Sequence, residues 1–275
     1  MKLVYDGHVH TPYCPHGSAD SFSAYAEAAI QKGYSGLTFT EHAPLPKSFV
    51  DPTPFKDSGM QQGQLSGYFQ ELNALKRYYH SHLTIRTGLE VDYIEGYEEE
   101  IRTFLNEVGE ELDDAILSVH FLKQKEKWYC LDYSPDVFGE LVEATGSLEE
   151  VYRNYFQALL HSIKSDLGQF KPSRIGHITL VRKFHTKFPP DFSYEEEIVK
   201  VLDEIAKKGL ELDYNGAGMM KEFCREPYPP AWIAREALKR NIPLVYGSDA
   251  HTAKGLKQGY KELIGKEAFK MPSTR

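Results

Sequence analysis

Gly36-Leu-Thr-Phe-Thr-Glu-His42 is a short β-branched and aromatic run that stops on a potential metal ligand, and its setting decides the fold. Residues 36–40 read as a strand, since such side chains suit a pleated, buried surface. Before it, Ser21 stands at a helix N-cap, with Phe22, Tyr25, Ala26, Ala29 and Ile30 on one face, and Gly33 sits where a helix stops. After it come a proline-rich loop over 44–63 and a helical period over 65–79. The unit is strand, then helix.

That unit repeats outward in both directions. Upstream, Leu3 to Tyr5 reads as a strand. Downstream, 83–91, 115–119, 173–178, 210–214 and 243–247 read as strands. Between them, 97–108, 148–167, 194–207 and 230–240 read as helices, the last entered through Pro229 and Pro230, and a short helix follows Ala253. About seven strand-then-helix units in succession predict an α/β fold with a parallel sheet, either open or closed into a barrel. No linker, repeat or low-complexity stretch divides the chain, so a single domain over 1–275 is expected. Residues 266–275 read as a frayed polar tail.

The strand ends carry the chemistry. They are His8 and His10, Glu41 and His42, Glu90, His120, His177, Asn215, and Asp249 with His251. In parallel α/β folds the carboxyl ends of the strands converge on one face, where active sites form. His8 and His10 are two apart, as are Asp249 and His251, so each pair points to one side of an extended backbone. His16 follows in a turn-rich loop that folds it back over the site. Glu41 points away from His42 and is expected to support the site rather than ligate. His80, His82, His161 and His185 read as ordinary histidines, and Cys14 and Cys130 as small packing residues.

Nine such donors are too many for one ion of four to six coordination, so two or three metals are implied, with Glu90 able to bridge. Imidazole and carboxylate suit zinc, iron or manganese, and no matched cysteine set points to a thiolate site. Three divalent ions, offset by Glu90, Asp249 and a bridging hydroxide, leave about +3, which attracts a phosphate dianion.

Composition narrows the field. The formal net charge of −8 argues against a broad nucleic-acid footprint. Three cysteines without finger spacing read as reduced thiols in a cytoplasm. No apolar run is long enough for a signal-peptide core or a membrane span.

The motifs Asp6-Gly-His-Val-His-Thr11, Cys14-Pro-His-Gly17, Thr38-Phe-Thr-Glu-His42, Gly88-Leu-Glu-Val-Asp-Tyr93, Leu117-Ser-Val-His-Phe-Leu122, Gly176-His-Ile-Thr-Leu-Val-Arg182, Glu226-Pro-Tyr-Pro229 and Gly247-Ser-Asp-Ala-His251 appear in this order over nearly the whole chain. Together they resemble the PHP (polymerase and histidinol phosphatase) family, and within it the phosphatases acting on histidinol phosphate in histidine biosynthesis. The resemblance implies a distorted seven-stranded (β/α)7, TIM-like barrel with a trinuclear site. By similarity, His8, His10, Glu90 and Asp249 hold one cation. Glu90, His120 and His177 hold a second, and His16, His42 and His251 a third.

The implied reaction is hydrolysis of L-histidinol phosphate to L-histidinol and phosphate by a metal-bridging hydroxide, with Glu90 and Asp249 as catalytic residues. For the phosphate, Arg182 and Arg225 are expected, with Lys221 as a further candidate, and Asp92 is expected to face a cationic substrate group. Met220 stands where this branch commonly carries an arginine. The rival readings are another PHP phosphoesterase, a nuclease or protein-tyrosine phosphatase, and a non-catalytic metal-binding module.

Overall fold

The computed structural model describes residues 4–273, so the expected strand start at Leu3 lies outside the described residues. In chain order the strands are β1 (Val4–Val9), β2 (Tyr34–His42), β3 (Thr84–Asp92), β4 (Asp114–Ser118), β5 (Phe121–Gln124), β6 (Lys127–Cys130), β7 (Arg174–Ile175), β8 (Glu211–Asn215) and β9 (Leu244–Gly247). All but β5 and β6 form one parallel sheet in the order β1-β2-β3-β4-β7-β8-β9. Its two outer strands then meet. The Asp249 amide donates to the His8 carbonyl at 2.7 Å and the His10 amide to the Ala250 carbonyl at 3.0 Å. Val9 and Ala250 form a parallel bridge. These contacts bring the sheet round into a nearly closed seven-stranded barrel.

The helices are α1 (Phe22–Gln31), α2 (Leu65–Tyr79), α3 (Glu98–Val108), α4 (Pro135–Thr145), α5 (Leu148–Lys164), α6 (Glu195–Lys208) and α7 (Ala231–Lys239). Local chemistry sets their ends. The Ser21 side chain accepts from the Ala24 amide and Ser134 from the Val137 amide, while Gly33 takes a φ of +76° where α1 stops. Phe22, Tyr25, Ala26 and Ala29 are buried, whereas Ile30, expected on that face, is 38% exposed. The core lies between the helices and the outer barrel wall.

Four features depart from the sequence reading. The antiparallel hairpin β5–β6 and helix α4 stand where no element was expected. β7 is a two-residue strand, after which the chain turns through a 3-10 turn at Leu180–Arg182. The expected helix after Ala253 is one 3-10 turn, Ala253–Gly255. The tail is tied down through Ser273. The Lys270 amide donates to the Leu244 carbonyl at 2.9 Å, Arg86 donates to the Pro272 carbonyl at 2.6 Å, and Ser273 Oγ donates to Glu211 at 2.6 Å. These partners start β9, β3 and β8, so the tail crosses the amino end of the barrel.

Charge fills the barrel interior. Arg174, fully buried, donates to Asp114 and lies 3.8 Å from Asp213 Oδ1. Such a buried guanidinium is tolerable only when acids surround it.

Candidate metal centre

Every strand of the barrel except β7 delivers a polar side chain from its carboxyl end or the residues just beyond, and β7 delivers His177 two residues past its end. Glu90, at 1% exposure, is the centre of the group. Its Oε1 lies 2.9 Å from His177 Nε2 and 3.8 Å from His120 Nε2. Its Oε2 lies 3.2 Å from His42 Nδ1, 3.3 Å from His8 Nε2 and 3.6 Å from His10 Nε2. Asp249 Oδ1 comes within 3.1 Å of His10 Nε2. The ring centroids of His10 and His251 are 3.9 Å apart, and those of His16 lie 5.2 Å from His42 and 5.1 Å from His251. All nine expected ligands thus meet in one place.

The ligands are held from behind. Asp213 Oδ2 lies 2.9 Å from His8 Nδ1, Glu41 Oε1 3.2 Å from His10 Nδ1, and Asp92 Oδ1 2.6 Å from His120 Nδ1. Each carboxylate fixes one ring nitrogen as N–H and aims the other into the site. Ser118 Oγ donates to Glu90 Oε1 at 2.6 Å, and Asn215 Nδ2 donates to Asp213 at 3.1 Å and Asp249 at 3.2 Å. Asp249 sits at φ 53°, a left-handed conformation costly for a residue with a side chain, and the surrounding hydrogen bonds hold it there. A Cβ at Gly247 would lie 2.3 Å from Asp213 Oδ1 and 2.8 Å from the His8 Cβ, so only glycine lets β8 and β1 bring these two together.

The field of the cluster suits cations. Burial raises the Glu90 carboxyl, but His8, His42 and His177 hold it well below the usual carboxylate range. Asp249 is likewise held low against burial, by His8 and His10. Burial pulls His8 down, yet Asp213, Glu90 and Asp249 lift it to about 10. Burial and the neighbouring His10 push His42 and His251 well below their ordinary value. Ionised acids are therefore packed against imidazoles of opposed tendency, His8 and His10 lifted, His42 and His251 lowered. His10 Nε2, His42 Nδ1, His177 Nδ1 and His251 Nε2 are buried with no hydrogen-bond partner. An orphaned buried nitrogen is costly, and divalent cations relieve it. The donor atoms of His8, His10 and Asp249 lie within 4.8 Å of one another, as do those of Glu90, His120 and His177. The residues fit a divalent-metal centre.

Some expectations need correction. Asp92 is engaged by His120 rather than left free for a substrate group. Arg182 places both fork nitrogens on Glu226, with its guanidinium over the Tyr194 ring, and Arg225 is exposed, donating to the Glu222 carbonyl at 3.1 Å. Neither is among the residues lining the cavity of about 340 Å³ above the cluster, whereas Lys183 and Lys221 are. Asp213 and Lys183 escaped the sequence reading. Asp213 had a signal: it sits two residues before Asn215 on one strand, hence on the same face. Lys183 had none, because a turn follows β7 where a strand was expected. His80, His82, His161 and His185 make their contacts elsewhere.

Comparison with known proteins identifies the family. The PHP domain family model matches residues 6–217. A histidinol-phosphatase of Bacillus subtilis is 49% identical over 263 residues, covering 94% of this chain and 97% of that protein. The crystal structure of a Listeria monocytogenes protein of the histidinol phosphatase type superposes with a TM-score of 0.91 at 38% identity, over 94% of this chain and 99% of that one. The Lactococcus lactis histidinol phosphate phosphatase, solved with zinc, L-histidinol and phosphate, shares the fold with a TM-score of 0.71 at 20% identity, over 98% of this chain and 96% of that one. With the nine-donor cluster at the mouth of a nearly closed seven-stranded barrel, these matches establish that the chain belongs to the PHP family.

Proposed function

We propose that this enzyme hydrolyses L-histidinol phosphate to L-histidinol and phosphate at a centre of two or three divalent transition-metal ions. The observation that carries the reading is the meeting of nine donors around Glu90 beneath a cavity with cationic and acidic parts. His8, His10, Glu90 and Asp249 would hold one cation, Glu90, His120 and His177 a second, and His16, His42 and His251 a third, of zinc, iron or manganese. When bound, the ions supply a water acidic enough to attack near neutral pH and neutralise the phosphoryl oxygens.

The chain's own groups do the rest. Lys183 and Lys221 stand on the cavity wall, where they counter phosphate charge. Asp249, 18% exposed at its side chain, faces the cavity with Oδ2 anchored by Asn215, so it is placed to manage the proton of the departing alcohol. Beside the cluster opens a lobe of about 230 Å³ lined by Asp57, Asp92, Asp132, Phe121 and Tyr133. Asp92 is held by His120 and Asp132 by Lys183, which leaves Asp57 and two aromatic rings to suit a cationic, ring-bearing leaving group such as the amino alcohol of histidinol. A phosphodiester strand has no such cation, and this favours the monoester reading over a nuclease. No helix among the described residues is long and apolar enough to cross a membrane, and three buried free thiols suit a reducing cytoplasm.

The test is a comparison of kcat/KM for histidinol phosphate, a phosphotyrosine peptide and a dinucleotide with metal-replete enzyme. Histidinol phosphate should lead by at least about a hundredfold, roughly the value of a few well-placed contacts. Faster turnover of the dinucleotide would overturn the assignment.

A further inference from the structure

The loop between β2 and α2 holds a buried acid that takes no part in the metal cluster. We propose that Asp51 is a positioning residue. It closes residues 51–58 on themselves, and so presents the Asp57 carboxylate to the substrate's ammonium and the Asp57 carbonyl to His16. The ammonium half rests on the histidinol phosphate reading, and the His16 half rests only on the site being a metal centre.

Asp51 is 8% exposed although it lies in a loop. Its Oδ1 accepts from the Thr53 amide and the Thr53 hydroxyl, both at 2.8 Å, and from the Ser58 hydroxyl at 3.1 Å. Its Oδ2 accepts from the Ser58 amide at 3.1 Å, and the Lys56 ammonium donates to the Asp51 carbonyl. One carboxylate thus ties both ends of the turn with charge-assisted bonds.

The turn is seated on the barrel from both sides. Before it, Phe49 is buried against Phe121 and Trp128, with ring centroids 5.0 and 5.4 Å away. After it, the Met60 amide donates to the His42 carbonyl at 3.2 Å. A Cβ on Gly59 would stand 2.5 Å from the Ala43 carbonyl oxygen, so only glycine lets the chain return this close to the end of β2.

Asp57 is what this arrangement turns toward the site. His16 Nδ1 lies 2.9 Å from its carbonyl, which leaves Nε2 free for a cation. Carboxylates on β8, β2 and β3 do the same for His8, His10 and His120, whereas for His16 the loop does it. The Asp57 carboxylate takes a long bond from Thr53 Oγ1 at 3.3 Å and lines the lobe beside Ser58. His16, His42 and His120 line both that lobe and the cavity above the cluster, so the two adjoin. Asp51 lines neither of them and acts through Asp57. Recognition of the amine and orientation of one metal ligand therefore share a single support.

The test uses full-length, zinc-loaded enzyme and two esters, histidinol phosphate and its desamino analogue, imidazolylpropyl phosphate. The native ratio of their kcat/KM values is expected at about 10 to 100, what one charge-assisted hydrogen bond supplies. In D57N and in D51A the ratio should fall toward unity, and the double variant should lose no more than D57N alone. D51N keeps the oxygen that faces Thr53 but sets an amino group against the Ser58 amide, so it should fall between the native chain and D51A. A native ratio in D51A, or losses that add in the double variant, overturns the proposal. Zinc gives a second reading that uses neither ester. In competition with a chelator, D51A should hold its weakest zinc about tenfold less tightly, whereas D57N keeps the main-chain carbonyl and should match the native chain. Native zinc affinity in D51A overturns the hold on His16. If the native enzyme turns over neither ester, the substrate reading falls, and the zinc comparison decides the role of Asp51 by itself.

Discussion

His8 Nδ1 and Asp213 Oδ2 lie 2.9 Å apart, and both residues are fully buried. The carboxylate fixes the proton on Nδ1 and directs Nε2 toward Glu90 and Asp249. Asp213 is fixed in turn by Asn215 and by Arg174 beneath it. A chain of charge thus runs from the barrel's interior to its mouth.

Asp213→Asn keeps the shape but weakens this hold on His8. Metal affinity is expected to fall by about 10- to 100-fold, the usual cost of losing such a partner. Competition against a coloured chelator measures it. Unchanged affinity would remove Asp213 from the account.

The two cavity lysines should behave differently. Lys221→Met removes an exposed positive charge and is expected to raise KM about tenfold with kcat nearly unchanged, the signature of lost uniform binding. Lys183 is 2.8 Å from Asp132 Oδ2, and burial of Asp132 is offset chiefly by that lysine and by His120. Lys183→Met strands the acid and should cost about 3–5 kcal/mol of stability, most of it recovered in a Lys183→Met, Asp132→Leu double variant. Urea titration separates the three proteins.

Much of this was readable beforehand, and for physical reasons. The strand-then-helix order and the i, i+2 histidine pairs are local properties, so a parallel sheet with ligands at its strand ends follows from spacing, while closure into a seven-stranded barrel was implied only by the family resemblance. What holds the ligands is long-range: Asp213 reaches His8 across 205 positions, and Asp92 reaches His120 across 28. No periodicity reports that. Arg182 misled because a guanidinium five residues past a ligand looks free in sequence, while its partner Glu226 lies 44 positions away. The hairpin was hidden because Phe121–Cys130 is a charged stretch without the surrounding period, whereas α4 had signals that went unread, Ser134 and Pro135 at its start and Gly146 at its end.

Lys171 gives a pH prediction away from the site. Its ammonium donates to the Ser162, Ile163 and Ser165 carbonyls at the end of α5. Burial, with Lys208 nearby, lowers it to about 8. The folded pKa lies below the unfolded value, so between about pH 8 and about 10.4 the unfolded chain binds more protons, and this group makes stability rise with pH. Lys171→Met should lack that rise, so the difference between the two stability–pH curves should climb across this window. A flat difference across the window would contradict the assignment.

Removing metal should loosen the protein, because orphaned imidazoles and buried acids then face one another unscreened. At a hundredfold excess of ion over Kd each site contributes about 2.7 kcal/mol. Two or three sites together contribute about 5–8 kcal/mol, so chelation is expected to lower Tm by roughly 10–20 °C, reversibly on adding zinc. Calorimetry with and without chelator checks it, and an unchanged Tm would count against coupled metal binding.

The most direct measurement is anomalous diffraction from crystals of the protein purified without added metal. Two or three peaks are expected among His8, His10, His42, Glu90, His120, His177, Asp249 and His251, each about 2.0–2.2 Å from its nitrogen and oxygen donors, with Glu90 touching two of them. A zinc-soaked crystal with no anomalous density there, and those side chains still bonded only to one another, would contradict the account.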